Sequence, residues 1–236
     1  FSQSDYGSGS GSRRSFRRYP RNVMESIAKM KTIESIQGKT IPLNRADVDT
    51  DQIMPKQFLK RIERSGYGPF AFYEWRKEES FVLNDSNYFG APIMLAQQNF
   101  GCGSSREHAV WGLEDIGVQA ILAPSFADIF RNNCSKVGLL TIVLDQLDID
   151  YLMSRAEELP DSQVRIDLPS QTVKLEGSDW QRGFEIDPFV KHRLLNGLDD
   201  IGITMQYEDE ISSYESSRSS QKPNTSSAFE DTFKVG

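Results

Sequence analysis

The stretch covering residues 92–109 most constrains the fold, because it consists of an apolar run, a glycine loop and a helical pattern in direct succession. Residues 92–97 (PIMLAQ) are typical of a short buried strand. Gly101 and Gly103 follow, and they permit positive φ angles and close approach of a ligand to the backbone. Apolar residues then recur at helical spacing, at Ala109, Val110, Leu113 and Ile116. The pattern predicts a helix from Arg106 whose N-terminus faces the space above the loop.

A helix N-terminus beside such a loop is suited to bind an anion, because its first amide groups lack helical partners and its dipole is positive there. Ser104 and Ser105 supply hydroxyls that are expected to cap the helix. Arg106 adds a guanidinium that can bind a carboxylate through two hydrogen bonds. The ligand that best matches these groups is a small carboxylic acid.

Other glycine-loop sites match this stretch less well. The dinucleotide pattern G-x-G-x-x-G requires a third glycine where Arg106 stands. A P-loop ends in Gly-Lys followed by Ser or Thr, and a hydrolase elbow has a serine between its glycines; this loop has neither arrangement. A plain capping role for the serines stays open as an alternative, and it is compatible with a binding site.

An alternating acidic triplet, Asp47, Asp49 and Asp51, lies upstream. A calcium-binding loop that started at Asp47 would need glycine at its sixth position and glutamate at its twelfth. Gln52 and Phe58 occupy those positions, which excludes a calcium-binding loop. The ordinary interpretation is a turn in which aspartate side chains bind their own backbone, and it accounts best for Asp47.

Three motifs, in this order, resemble the small-subunit family of 3-isopropylmalate dehydratase. They are DVDTDQIMP at 47–55, NFGCGSSREHA at 99–109 and APSFADIF at 123–130. The resemblance implies a single α/β domain over residues 30–211, of the swivelling β/β/α kind found in aconitase-like enzymes. Residues 1–29 and 212–236 are expected to be disordered flanks.

The N-terminal flank differs in charge from the rest of the chain. Residues 1–22 carry five arginines against one aspartate, whereas the whole chain has a net charge of −7. An organelle transit segment and a nucleic-acid-binding arm are alternatives to a disordered extension. A transit segment would direct the protein to a stroma or matrix instead of the cytoplasm.

The resemblance implies isomerisation of 2-isopropylmalate to 3-isopropylmalate in leucine biosynthesis, through dehydration and rehydration. In that reaction Ser104 removes the proton next to a carboxylate of the hydroxy-dicarboxylic acid, and Ser105, Arg106 and Asp51 bind the substrate. The backbone at Gly101 and Gly103 stabilises negative charge. A further loop is expected to select the substrate side group: Leu59 would meet the isopropyl group, and Lys60 or Arg61 would steer a carboxylate.

The resemblance also implies that the chain is half of an enzyme. Its partner would be an iron-sulfur large subunit, in a heterodimer or heterotetramer. Cys102 and Cys134 are too few to ligate a 4Fe-4S cluster and lack metal-ligand spacing with the two histidines, so any cluster is expected in the partner and no metal in this chain. Two cysteines are also too few for a disulfide framework, which favours a reducing compartment such as the cytoplasm.

Membrane and nucleic-acid partners are not expected. No apolar run approaches the roughly 20 residues of a membrane span, and the acidic body of the chain disfavours nucleic acid. Two functional alternatives stay open. One is the small subunit of a homoaconitase or citraconate-type hydratase, and the other is a non-catalytic module that binds small acids. The intact Ser104-Ser105-Arg106 sequence argues against a module that has lost catalysis.

The remaining sequence predicts alternating elements, which indicates parallel crossovers near the site. His108 and His192 are expected to be structural. The predicted strands are 32–43 with punctuation at Gly38 and Pro42, 118–123, 139–144, the hairpin 164–168 and 172–175, 184–186 and 201–207. The predicted helices are 126–137 with Ser125 as its cap, 149–158, and 188–195 with Asp187 as its cap.

Overall fold

The computed structural model describes residues 30–60, 64–104 and 106–217. The predictions that concern residues 1–29, Arg61, Ser105 and residues 218–236 therefore lie outside the described residues.

A mixed sheet forms the centre of the described domain, with the strand order β4-β3-β2-β1-β5-β6-β7. The strands are β1 (Ser35–Leu43), β2 (Ile93–Ala96), β3 (Ala120–Ala123), β4 (Leu140–Val143), β5 (Gln163–Asp167), β6 (Thr172–Leu175) and β7 (Gln181–Gly183). Strands β1 to β4 pair in parallel, and the pairs β1–β5, β5–β6 and β6–β7 are antiparallel. The sheet thus has a parallel half, which follows the predicted crossovers, and an antiparallel half.

The α-helices of the described residues connect or flank these strands. They are α1 (Thr50–Ile53), α2 (Glu107–Asp115), α3 (Asp128–Val137), α4 (Gln146–Glu158), α5 (Pro188–Asn196), α6 (Asp200–Met205) and α7 (Glu208–Ser217). Short 3-10 helices lie between α1 and β2, at Lys56–Phe58, Gly68–Phe70, Trp75–Lys77, Val82–Asn84 and Ser86–Tyr88. Within the described ranges, none of the helices has the length and apolar character needed to cross a bilayer.

Strand β1 joins the two halves of the sheet. Residues 35–39 pair with β5 in antiparallel register, and residues 40–43 pair with β2 in parallel register. The predicted punctuation at Gly38 and Pro42 is wrong, because both residues lie within the strand. Gly38 is needed there for packing: a Cβ atom at this position would lie 2.6 Å from Cγ of Pro92.

Two apolar cores cover the two faces of the parallel half. Successive residues of β2 point to opposite faces, as a strand requires. Met94 belongs to a core shared with helices α2 and α3, and Leu95 to a core shared with α4 and α5. Burial on both faces explains why β2 is apolar at every position.

The C-terminal third confirms some predictions and corrects others. The hairpin β5–β6 is confirmed, and so is the cap of α5, where Oδ1 of Asp187 accepts a hydrogen bond from the amide of Phe189 at 2.9 Å. The predicted strand 201–207 is wrong, because the segment forms α6. The Asp199 carboxylate caps this helix by accepting from the amide of Gly202 at 2.7 Å.

Two further boundaries in this region differ from the sequence expectation. The predicted strand 184–186 lies earlier, at Gln181–Gly183. Helix α7 continues to Ser217, so regular structure extends past the predicted domain end at residue 211.

Candidate functional site

The site loop, residues 97–106, connects β2 to α2 and is docked on the segment that leads into α1. The amides of Gly101 and Cys102 both donate to the carbonyl oxygen of Val48, at 2.8 and 3.1 Å. The Thr50 hydroxyl donates to the carbonyl oxygen of Ser104 at 2.5 Å. Hydrogen bonds therefore hold the loop backbone at Gly101, Cys102 and Ser104.

The two glycines of the site loop are required by packing as well as by backbone conformation. Gly101 and Gly103 have φ angles of 79° and 85°. A Cβ atom at Gly101 would overlap the ring of Phe130, and one at Gly103 would overlap the carboxylate of Asp49. Both glycines thus bring α1 and α3 against the loop. Their predicted contribution to binding an anion stays a prediction.

A polar network anchors the start of the site loop. Asn99 adopts a φ of 58°, and its side-chain amide donates to Oδ1 of Asp47 at 2.8 Å. Its backbone amide donates to the hydroxyl of Ser125 at 2.8 Å. The thiol of Cys102 donates to the carbonyl oxygen of Asp47 at 3.3 Å. Asp47 thus lies in a bend, but its side chain binds Asn99 and not its own backbone as predicted; Asp49 makes that local contact instead, by accepting from the amide of Asp51 at 2.6 Å. The role of Asn99 was missed.

The serines do not cap the helices that they precede. Helix α2 begins at Glu107, and its N-cap residue is Arg106, without a side-chain hydrogen bond. Ser104 is exposed two positions earlier, and within the described residues its hydroxyl has no hydrogen-bond partner. Ser125 likewise fails to cap α3, whose N-cap is Ala127, because its hydroxyl binds the amide of Asn99. Capping by Ser104 and by Ser125 was therefore wrongly predicted.

Arg106 and Asp51 form an ion pair at the foot of the site loop. Nε of Arg106 lies 2.8 Å from Oδ1 of Asp51, and both atoms are shielded from solvent, although their geometry falls short of a linear hydrogen bond. Oδ2 of the same carboxylate lies 3.2 Å from Nζ of Lys56. Sequence reasoning placed Asp51 and Arg106 in one site but missed Lys56, since a single lysine after Pro55 gives no distinctive signal.

The predicted substrate-selecting loop lies next to this ion pair along the chain. Leu59 ends the 3-10 helix Lys56–Phe58 and is half-buried against the core beside α2. Lys60 is exposed. Phe58 stacks on Phe70, with the ring centroids 4.3 Å apart, which fixes the position of this turn. The contact of Leu59 and Lys60 with a substrate stays a prediction.

His108 lies in the first turn of α2 between aromatic rings. Its ring centroid is 5.4 Å from that of Tyr67 and 4.7 Å from that of Trp111. Burial lowers the pKa of His108, which keeps the imidazole neutral at neutral pH. Burial likewise raises the pKa of the Cys102 thiol, so this thiol is a poor nucleophile. Both groups therefore fit supporting roles.

The described residues do not provide the ligands that an iron-sulfur cluster requires. Within residues 30–60, 64–104 and 106–217, no three His, Cys, Asp or Glu side chains come together as a metal site. Cys134 is buried in α3, whereas Cys102 lies in the site loop. An iron-sulfur cluster requires about four cysteine thiolates that converge on it.

Comparisons with known proteins identify the family of the chain. The Aconitase C-terminal domain family model matches residues 30–147, and the model for the C-terminal domain of the 3-isopropylmalate dehydratase small subunit matches residues 200–226. The 3-isopropylmalate dehydratase small subunit of Rubrobacter xylanophilus is 50% identical over 194 residues, which cover 82% of this chain and 98% of the relative. That of Brevibacillus brevis is 54% identical over 187 residues, which cover 77% and 96%.

A solved structure gives the same result for the fold. The crystal structure of 3-isopropylmalate dehydratase from Methanocaldococcus jannaschii is 26% identical, with a TM-score of 0.56, and the match covers 76% of this chain and 99% of that one. The predicted α/β fold and the resemblance carried by the three motifs are confirmed. The chain belongs to the family of 3-isopropylmalate dehydratase small subunits.

Proposed function

We propose that this chain is the half of an isopropylmalate isomerase that carries the catalytic base. Together with an iron-sulfur large subunit, it would convert 2-isopropylmalate to 3-isopropylmalate by dehydration and rehydration, as a step of leucine biosynthesis. One observation carries the proposal: the Ser104 hydroxyl is exposed and has no partner among the described residues, and it lies two residues before Arg106, which pairs with Asp51. The relatives' names favour isopropylmalate over the substrates of homoaconitase or citraconate-type hydratases.

Ser104 is proposed to remove the proton from the carbon next to a substrate carboxylate and to return a proton during rehydration. Serine is a weak base, so its alkoxide needs stabilisation by nearby positive charge and amide groups. The N-terminus of α2 begins three residues later, at Glu107, and contributes the positive end of its dipole. Arg106, two residues after Ser104, adds a guanidinium whose charge Asp51 balances in part.

Arg106 is proposed to bind the substrate carboxylate, and Asp51 to position Arg106. The ion pair engages Nε and leaves the terminal Nη groups without a protein partner in the described part of the chain. Those groups form the side of the guanidinium that can bind a carboxylate through two hydrogen bonds. Ser105 and the loop residues Leu59, Lys60 and Arg61 are proposed to complete the binding surface.

The 4Fe-4S cluster is proposed to lie in the large subunit, because the described residues of this chain do not fit its ligation. The steps assigned to this chain are deprotonation, binding of a carboxylate and orientation, and none of them depends on a metal ligand here. The proposed assembly is a heterodimer or heterotetramer. A reducing compartment such as the cytoplasm suits the two free thiols, Cys102 and Cys134.

The direct test combines this chain with the large subunit from the same source under anaerobic conditions. We expect the isolated chain to be colourless and inactive, and the mixture to form 3-isopropylmalate from 2-isopropylmalate in proportion to the complex present. Homoaconitate and citraconate serve as comparison substrates. Isomerase activity of the isolated chain, or a stoichiometric complex that prefers a comparison substrate, would contradict the proposal.

A further inference from the structure

Helix α7 carries an exposed apolar stripe that the proposed catalytic site does not use. Tyr207, Ile211 and Tyr214 are spaced by four and three residues, so they share one face of the helix. The amide of Ile211 donates to the carbonyl oxygen of Tyr207 at 2.9 Å, which makes Tyr207 the N-cap residue directly before α7. The three side chains are 53%, 39% and 59% exposed. Such a stripe is the usual signature of a helix that packs against a partner.

The surroundings of the stripe are acidic. Glu208, Asp209 and Glu210 form the first turn of α7, and residues 201–217 contain no lysine, arginine or histidine. Acidic side chains in the first turn interact favourably with the helix dipole, which explains part of this charge. The dipole does not explain the apolar stripe beside it. The combination fits an apolar groove whose edges carry lysine or arginine.

In the described residues, the main candidate groove on a second copy of this chain has acidic walls, which do not suit an acidic helix. A groove of about 1300 Å³ lies between α3, β4 and the segment after β7 in the described residues. It is lined by two arginines and five carboxylates, the latter being Asp128, Asp145, Asp148, Glu185 and Asp187. The chain as a whole has a net charge of −7. Like charges would therefore oppose docking of α7 onto another copy.

We infer that α7 docks into a basic-edged apolar groove on the large subunit. This inference rests on the proposed function, which supplies a large subunit as the partner. The C-terminal family model that matches residues 200–226 covers both α6 and α7, so this segment is characteristic of chains that are named small subunits. The occupant of the stripe is therefore the large subunit of this family.

The test replaces the stripe with the triple variant Tyr207→Gln/Ile211→Gln/Tyr214→Gln, because glutamine maintains helix propensity. We expect the dissociation constant for the purified large subunit, measured anaerobically by biolayer interferometry, to rise about tenfold or more. The maximal rate at saturating large subunit should stay unchanged. Phe89→Gln is the matched control: Phe89 is 91% exposed but lies before β2, at the end of that strand remote from the site loop. It should leave the dissociation constant unchanged.

A second variant tests the charge separately. Glu208→Gln/Asp209→Asn/Glu210→Gln should weaken the complex at low salt and make its affinity less dependent on salt. Circular dichroism shows whether the helix content is retained. An unchanged dissociation constant for the triple glutamine variant would overturn the inference, and so would a change confined to self-association of the isolated chain. If the unaltered complex forms but fails to convert isopropylmalate, the proposed function fails while the docking surface stands.

Discussion

Two neighbouring strand-to-helix connections lie at the same edge of the sheet, yet they serve different purposes. The site loop takes ten residues to pass from β2 to α2, whereas four residues, 124–127, pass from β3 to α3. In the short connection, the Ser125 hydroxyl and carbonyl oxygen accept from the amides of Asn99 and Phe100. In the long connection, the Ser104 hydroxyl is left exposed. The short connection therefore supports the long one, and a serine before a helix does not by itself reveal its role.

The sharpest way to break this comparison is to remove each serine hydroxyl in turn. Ser104→Ala should lower the maximal rate of the complete enzyme by ~10² to 10⁴, because it removes the proposed base. Ser125→Ala removes an acceptor for one amide, and it should lower the free energy of unfolding by about 0.5–1.5 kcal/mol. Steady-state kinetics and chemical denaturation measure the two effects. Comparable rate losses in both variants would show that the serines have the same structural role.

The glycine at the bottom of the site loop provides the next test. Gly101→Ala should lower the free energy of unfolding by about 2–5 kcal/mol, because it adds both a positive-φ penalty and overlap with Phe130. Gly177→Ala is the matched control, since Gly177 has a φ of 76° and no heavy atom within 4 Å of an added Cβ. It isolates the backbone penalty of about 1–2 kcal/mol. Equal losses in urea denaturation would contradict the close packing of the site loop on α3.

A variant of Arg106 tests whether the end of the long connection contributes to substrate binding. Arg106→Lys should raise the KM of the complete enzyme about tenfold to a hundredfold, because an ammonium cannot make the two-pronged carboxylate contact. The effect on the maximal rate should be smaller than that of Ser104→Ala. An unchanged KM would show that Arg106 only pairs with Asp51 and does not bind the substrate.

The smallest expected effect concerns pH and the first turn of α2. The pKa of His108 is lowered in the folded state by burial, so the unfolded chain binds its proton at higher pH. Stability from this residue is present above the unfolded pKa of about 6.5 and is lost as the pH falls through the folded pKa. His108→Gln should make the loss of stability below pH 6.5 shallower, as measured by denaturation at several pH values. An unchanged slope would mean that burial of His108 has no part in acid sensitivity.

The parts of the fold that depend on local pattern could be predicted from the sequence. The buried runs at β2, β3 and β4 were placed within two residues, and Asp187 was identified as a cap, because an aspartate before a proline has a simple local effect. Residues 201–207 were mistaken for a strand because isoleucines and threonine favour one. The Asp199 cap starts a helix there instead, and Arg193 pairs with Asp200 at its first position.

In the candidate site, too, features set by local sequence could be predicted and features set by distant contacts could not. The glycines and Arg106 could be located by spacing, but the partners of Asn99 and Ser125 could not, because those hydrogen bonds join segments that are remote in sequence. Lys56 was missed for a similar reason. Its distance from Asp51 depends on the turn after α1, which no local pattern specifies.

Because β1 pairs with both β2 and β5, its two halves cannot find their partner strands at the same stage of synthesis. Thr40 can pair with Ile93 of β2 once about a hundred residues have been synthesised, as the order of the sequence dictates, but Gln37 pairs with Arg165 of β5, which is synthesised later. Until the ribosome has released β5, the first half of β1 exposes a free strand edge next to the buried position of Ile36. Long-range pairing of this kind slows folding and exposes nascent chains to aggregation. A fragment limited to residues 30–147, the part that matches the aconitase model, would retain that exposed edge permanently.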